Sequence, residues 1–60
     1  MKIGDLVRDC DGMLGIVVDV EMYFEIIEDN GRAVTVHLIT VYSFADREDL
    51  IFFHNELEVL

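Results

Sequence analysis

The chain has 60 residues, room for one domain at most (residues 1–60), and carries thirteen acids against four bases for a formal charge of −9. The bases Lys2, Arg8, Arg32 and Arg47 are scattered. Without clustered cations to neutralise phosphates, the chain is expected to repel nucleic acid and anionic membranes. The acids are dispersed too, which fits a solvated, solubilising surface better than a disordered acidic tail.

Size sets a second limit. A domain this short buries only about 60% of the surface its unfolded chain exposes, so it needs a staple or a partner to be stable. Cys10 is the single cysteine, so no internal disulfide can form, and a lone thiol fits a reducing compartment. No basic start leads into a signal-like apolar stretch, and no apolar run approaches the ~20 residues of a membrane span. The expectation is a soluble cytoplasmic protein without a cofactor.

Turn residues recur among β-branched and aromatic ones at the spacing of a small barrel or sandwich, and there is no proline. The first strand is expected over Ile3–Arg8, with a bend at Gly4-Asp5. Asp9-Cys10-Asp11-Gly12 reads as a turn, since Asp supplies side-chain acceptors and Gly the positive φ. A second strand, Gly15–Glu21, alternates Ile16, Val18 and Val20 with Val17, Asp19 and Glu21, which predicts the first trio inside. Gly15 fits a bulge or a close backbone approach.

A third strand, Met22–Glu28, and a fourth, Ala33–Val41, flank Asn30-Gly31, a strong hairpin signal. A three-residue loop, Asp29-Asn30-Gly31, sets Ile26 opposite Val34, Phe24 opposite Val36 and Met22 opposite Leu38. It leaves Tyr23 with His37 and Glu25 with Thr35. That register gives one wholly apolar face, and burial should select it. It implies a type I turn closed by Gly31 in a left-handed bulge. The polar stretch after Tyr42 reads as a loop and Leu50–His54 as a short buried strand. His54–Leu57 reads as one helical turn, and Glu58–Leu60 as a last strand.

"GDLVR" followed by "DGMLGIVVDV", with "HNELEVL" at the end, resembles the KOW-type SH3-like barrels. The resemblance covers residues 3–41 and 50–60. It implies an all-β, five-stranded SH3-like barrel with one short helical turn before the last strand. Short phage proteins share this opening and ending, so the resemblance also implies a phage-encoded chain acting in the host cytoplasm. Relatives that bind RNA carry basic residues where Asp9, Asp11 and Asp19 stand, and peptide-binding relatives use a Trp that is absent here. Neither activity transfers, and Gly12, Gly15, Asn30 and Gly31 read as structural turn residues.

Catalytic and metal chemistry find little footing. "DCDG" begins like a calcium loop, but counting from Asp9 the twelfth position is Val20, not Glu. Cys10, His37 and His54 are scattered, whereas zinc ligands come in close pairs. Cys10 stands between two aspartates, not in the electropositive setting a reactive thiolate needs. His37 is expected to pack against Tyr23, and His54 to end a strand. No catalytic set stands out, so no enzyme is expected.

The informative feature is an apolar surplus, 53% of the chain. The expected interior takes Ile3, Val7, Ile16, Val18, Val20, Phe24, Ile26, Val34, Val36 and part of the last segment. Leu6, Val17, Ile27, Ile39, Val41, Tyr42, Phe44 and one of Phe52 or Phe53 are left over. A contiguous apolar patch marks an interface, and Ile39, Val41, Tyr42 and Phe44 are the candidates. The expected function is a non-enzymatic module that binds a protein partner or itself (a homo-oligomer) through an apolar patch with an acidic rim. The alternatives are an acidic inhibitor that mimics nucleic acid on a host enzyme, and a virion structural or decoration subunit.

Overall fold

A computed structural model describes the backbone of residues 1–26 and 29–60 and the side chains of residues 1–22, 29–32 and 35–60. The chain is all-β: β1 (Leu6–Asp9), β2 (Leu14–Ile26), β3 (Ala33–Ser43), β4 (Glu48–Phe53) and β5 (Leu57–Val59). They form one antiparallel sheet in the order β4-β3-β2-β1-β5, and a 3-10 turn at His54–Glu56 precedes β5. Five strands with a single helical turn before the last is the expected architecture.

Several boundaries move for local reasons. Gly4 turns the chain at φ +95°, with the Asp5 N–H donating to the Lys2 carbonyl at 3.1 Å, so β1 starts at Leu6 rather than Ile3. Ile3, expected inside, is 64% exposed. The expected second and third strands are one continuous strand, β2. The polar stretch after Tyr42 keeps a four-residue turn at its centre, residues 44–47, while Ser43 ends β3 and Glu48 starts β4. Ser43 is fully buried, and its hydroxyl is satisfied by Asp46, donating to the carboxylate at 3.2 Å and accepting from the backbone N–H at 3.3 Å.

The core consists of Val7, Val17, Ile39 and Val41, each at most 1% exposed, with Met13, Val20, Phe52 and Leu57 packed around them. The expected alternation along β2 is therefore inverted at its start. Val17 is buried, Ile16 is half-buried on the outer face, and Val18 is 39% exposed. A bulge causes this. Val17 is opposite Val41, but Asp19 is opposite Thr40, so Val18 is an extra residue without a partner. One inserted residue flips the side-chain phase, and Val17 and Val20 can then both serve the core while Asp19 stays in water. The N-terminal segment braces the site, with the Gly4 N–H donating to the Val17 carbonyl at 2.8 Å and the Val17 N–H to the Asp5 carbonyl at 3.0 Å.

Ile39 and Val41, expected at an interface, are the centre of the core. Val41 is opposite both Val17 and Leu50, and Ile39 opposite both Val20 and Phe52. A central strand with neighbours on both sides buries its inward residues most completely. Gly15 confirms the close approach expected of it, because a Cβ there would overlap the Tyr42 carbonyl oxygen and Val41 Cγ1.

The hairpin register is one residue off the expected one. Met22 lies opposite His37, Tyr23 opposite Val36, Phe24 opposite Thr35, Glu25 opposite Val34 and Ile26 opposite Ala33. The expectation assumed that burial selects the register near the turn. The core lies at the other end of the hairpin, and the register is set there by Val20 opposite Ile39, then propagates outward. Gly31 still takes the left-handed backbone (φ +78°), and the Asn30 side chain accepts from the Arg32 N–H at 3.0 Å. The expectations for Ile27 and for the end of the third strand at Glu28 fall outside the described residues, as do the inward placements of the Phe24, Ile26 and Val34 side chains.

Two substitutions test this account. Gly15→Ala should cost more than about 2 kcal/mol, since the overlap involves backbone that cannot yield. Val41→Ala should cost about 2–4 kcal/mol, a large part of the stability of so small a domain. Chemical denaturation measures both; a cost below about 0.5 kcal/mol at either site contradicts the packing described.

Candidate interaction surface

The opening loop is built for shape. The Asp9 Oδ1 accepts from the Asp11 N–H at 2.9 Å and the Met13 N–H at 2.8 Å. The Asp9 carbonyl accepts from the Gly12 N–H at 3.1 Å, and Gly12 sits at φ +89°. One carboxylate oxygen thus organises the whole turn, which is the turn chemistry expected of "DCDG". Beside it, a shallow open depression of about 220 Å³ lies between β1 and the 3-10 turn, walled by Arg8, Cys10, Asn55, Glu56 and Glu58. Arg8 is neutralised there by Glu58, its cross-strand neighbour, through a 2.9 Å ion pair between two largely exposed side chains.

The two histidines, read as scattered, are brought together. Their ring centroids are 5.2 Å apart, and the His37 backbone N–H donates to His54 Nδ1 at 3.3 Å. In the register Tyr23 lies opposite Val36 and Met22 opposite His37, and the expected packing of His37 against Tyr23 falls outside the described side chains. Cys10 is exposed on the β1–β2 turn. Among the described residues no group of three or more His, Cys, Asp and Glu converges as a metal-binding set.

Of the four residues expected at an interface, two remain at the surface. Tyr42 is half-buried, Phe44 is 50% exposed, and their rings meet edge to face at 6.1 Å. They belong to a larger apolar surface that sequence reading missed. With Val7, Val17, Ile39 and Val41 inside, alternation turns Leu6, Ile16, Leu38, Tyr42, Ile51 and Phe53 to the opposite, outer face. The register places them side by side: Leu6 beside Ile16 beside Tyr42 in one row, Thr40 beside Ile51 in the next, and Leu38 beside Phe53 in the third. Leu6 is 44%, Ile51 69% and Phe53 43% exposed. Asp49 continues the first row, Asp19 the second and Glu21 the third.

The signal for this face was present in β3, where Leu38, Thr40 and Tyr42 alternate with Ile39 and Val41. Either set could have been inside, and only the bulge in β2 decided between them. Asp9 is engaged in its turn, Asp46 with Ser43, Glu58 with Arg8, and Glu56 lies on the 3-10 turn.

Compared with known families, curated proteins and solved structures, the chain matches none. Among the described residues no helix is long and apolar enough to cross a membrane.

The loop and the ion pair differ in weight. Asp9→Ala removes an acceptor from two backbone N–H groups and should cost about 1–2 kcal/mol, as loss of a comparable cap does. Arg8→Ala should cost no more than about 1 kcal/mol, because the pair is exposed. Parallel denaturation curves give both values; equal costs would contradict this division.

Proposed function

We propose that this chain is a non-enzymatic interaction module, an SH3-like barrel in architecture, whose outer sheet face binds a protein partner. The observation behind the reading is the row-by-row apolar surface Leu6–Ile16–Tyr42, Ile51 and Leu38–Phe53. Single exposed apolar residues are ordinary, whereas a contiguous set on one face marks a binding surface. The carboxylates of Asp19, Glu21 and Asp49 interleaved with it set the partner's chemistry: apolar groups flanked by lysine or arginine. A second copy is disfavoured on this face, since it would bring like charges together. The apolar rows carry the reading and the charge tunes it.

The test is a comparison of variants. Ile51→Asp keeps an exposed position exposed and should leave the far-UV spectrum unchanged and stability within about 1 kcal/mol. It should remove a partner captured by the wild-type chain from its native lysate, while Glu56→Ala retains it. The complex should weaken as salt is raised, since rim charges are screened. A partner held equally by all three proteins, or insensitive to salt, refutes the outer face as the binding surface.

A further inference from the structure

We propose that the chain also pairs with a second copy of itself through the free edge of β3 at residues 33–36, a surface separate from the outer face. The first observation is topological. β4 ends at Phe53 opposite Leu38, and β1 pairs with β2 only as far as Ile16. Met22–Ile26 and Ala33–His37 are therefore a two-stranded ribbon of five residue pairs with no third strand among the described residues, the 3-10 turn reaching only its His37 end. At about 3.4 Å per residue the ribbon projects some 17 Å. The molecule is accordingly elongated, 39 × 20 × 19 Å, with a radius of gyration of 12.7 Å against about 10 Å for a compact chain of this length. Its surface of 4397 Å² likewise exceeds the roughly 4,000 Å² of a compact monomer.

A two-stranded ribbon is marginal in water and gains stability from a third strand. This one is rich in apolar residues along both strands (Met22, Tyr23, Phe24 and Ile26; Val34 and Val36).

Charge decides the occupant. β1 holds Arg8 and Asp9, β2 holds Asp19, Glu21 and Glu25, β4 holds Glu48 and Asp49, and β5 holds Glu58. β3 has no Asp, Glu, Lys or Arg, and the uncharged run extends from Ala33 to Ala45. A chain of charge −9 meets its own copy with least repulsion along that strand. Of β3, only residues 33–37 lack a neighbouring strand on the β4 side.

The backbone direction agrees. The His37 N–H points away from β2, to His54 Nδ1, whereas the Phe44 N–H points to the Leu14 carbonyl on β2 at 3.2 Å. Odd-numbered residues of β3 therefore direct their backbone groups to the β4 side, and at the free edge these are Ala33 and Thr35. Two copies related by a two-fold axis can pair antiparallel with Thr35 opposite Thr35. Val34 then lies opposite Val36, and the two ribbons join as a four-stranded sheet, β2-β3-β3-β2. The contact is isologous and closes as a dimer.

Sedimentation velocity and native mass spectrometry of the full chain test this. The wild type should be a dimer in equilibrium with monomer. Thr35→Pro removes an outward N–H that β2 does not use, which an edge strand tolerates. It should raise the dissociation constant about tenfold or more, through two lost backbone hydrogen bonds. Thr35→Glu leaves the backbone intact and places like charges opposite each other, for a rise of about fivefold; it decides the matter if the proline variant misfolds. Thr35→Cys in a Cys10→Ser background should form a disulfide dimer under mild oxidation, because directly opposed Cα atoms of a hydrogen-bonded pair are about 5.5 Å apart. A monomeric wild type overturns the proposal, and so does a dimer that neither Thr35→Pro nor Thr35→Glu weakens. Ile51→Asp should leave the dimer unchanged, so failure here and failure of the outer-face reading are separate outcomes.

Discussion

The bulge at Val18 is the constraint on which the rest of the fold depends. A strand that must place Val17 and Val20 on one face, three positions apart, cannot do so with strict alternation. Inserting one residue without a cross-strand partner solves the problem and keeps Asp19 in water. It fixes which half of β3 is inside, since Val41 must meet Val17 and Ile39 must meet Val20. Through β3 it also fixes which residues of β4 are left outside. The Gly4 and Asp5 backbone groups that hold both polar groups of Val17 make the N-terminal segment part of this device.

Among the described residues, a core of four fully buried apolar side chains follows from the same geometry. The expected interior had nine residues plus part of the last segment, and left Leu6, Val17, Ile27, Ile39, Val41, Tyr42, Phe44 and one of Phe52 or Phe53 over. Apolar residues that the described core does not take stand in two places. One is the outer face, where Leu6, Ile16, Tyr42, Ile51, Leu38 and Phe53 run across four strands. The other is the ribbon beyond Leu38, where β2 and β3 continue with neither β1 nor β4 beside them. These two places differ in charge: carboxylates interleave the outer face, whereas β3 in the ribbon has none. That contrast is why two kinds of partner are proposed for one small chain.

Local chemistry was legible where it involves neighbours in sequence. The Asp9–Gly12 turn, the left-handed Gly31, the close approach at Gly15, the helical turn after β4 and the all-β class each depend on a few adjacent residues. They follow from hydrogen-bonding capacity, the lack of a Cβ or β-propensity. Facing was not legible, because β3 alternates two largely apolar sets, Leu38 and Tyr42 against Ile39 and Val41, and in β2 Val17 and Val20 fall on opposite phases unless a bulge intervenes. For the same reason Ile39 and Val41 read as surplus although they are the core. His37 and His54 looked unrelated, and it takes the register between β3 and β4 to bring them together.

The sequence by itself determined the all-β class, most of the strand content and the main turns, since these are set by composition and by residues a few positions apart. Tertiary structure alone decided the side each strand shows to the core, the hairpin register and the neighbours of each exposed residue. The physical reason is the two-residue period of a strand. A single bulge exchanges inside for outside along everything that follows it, and whether one forms depends on packing among Val7, Val17, Ile39 and Val41, which lie far apart in the chain.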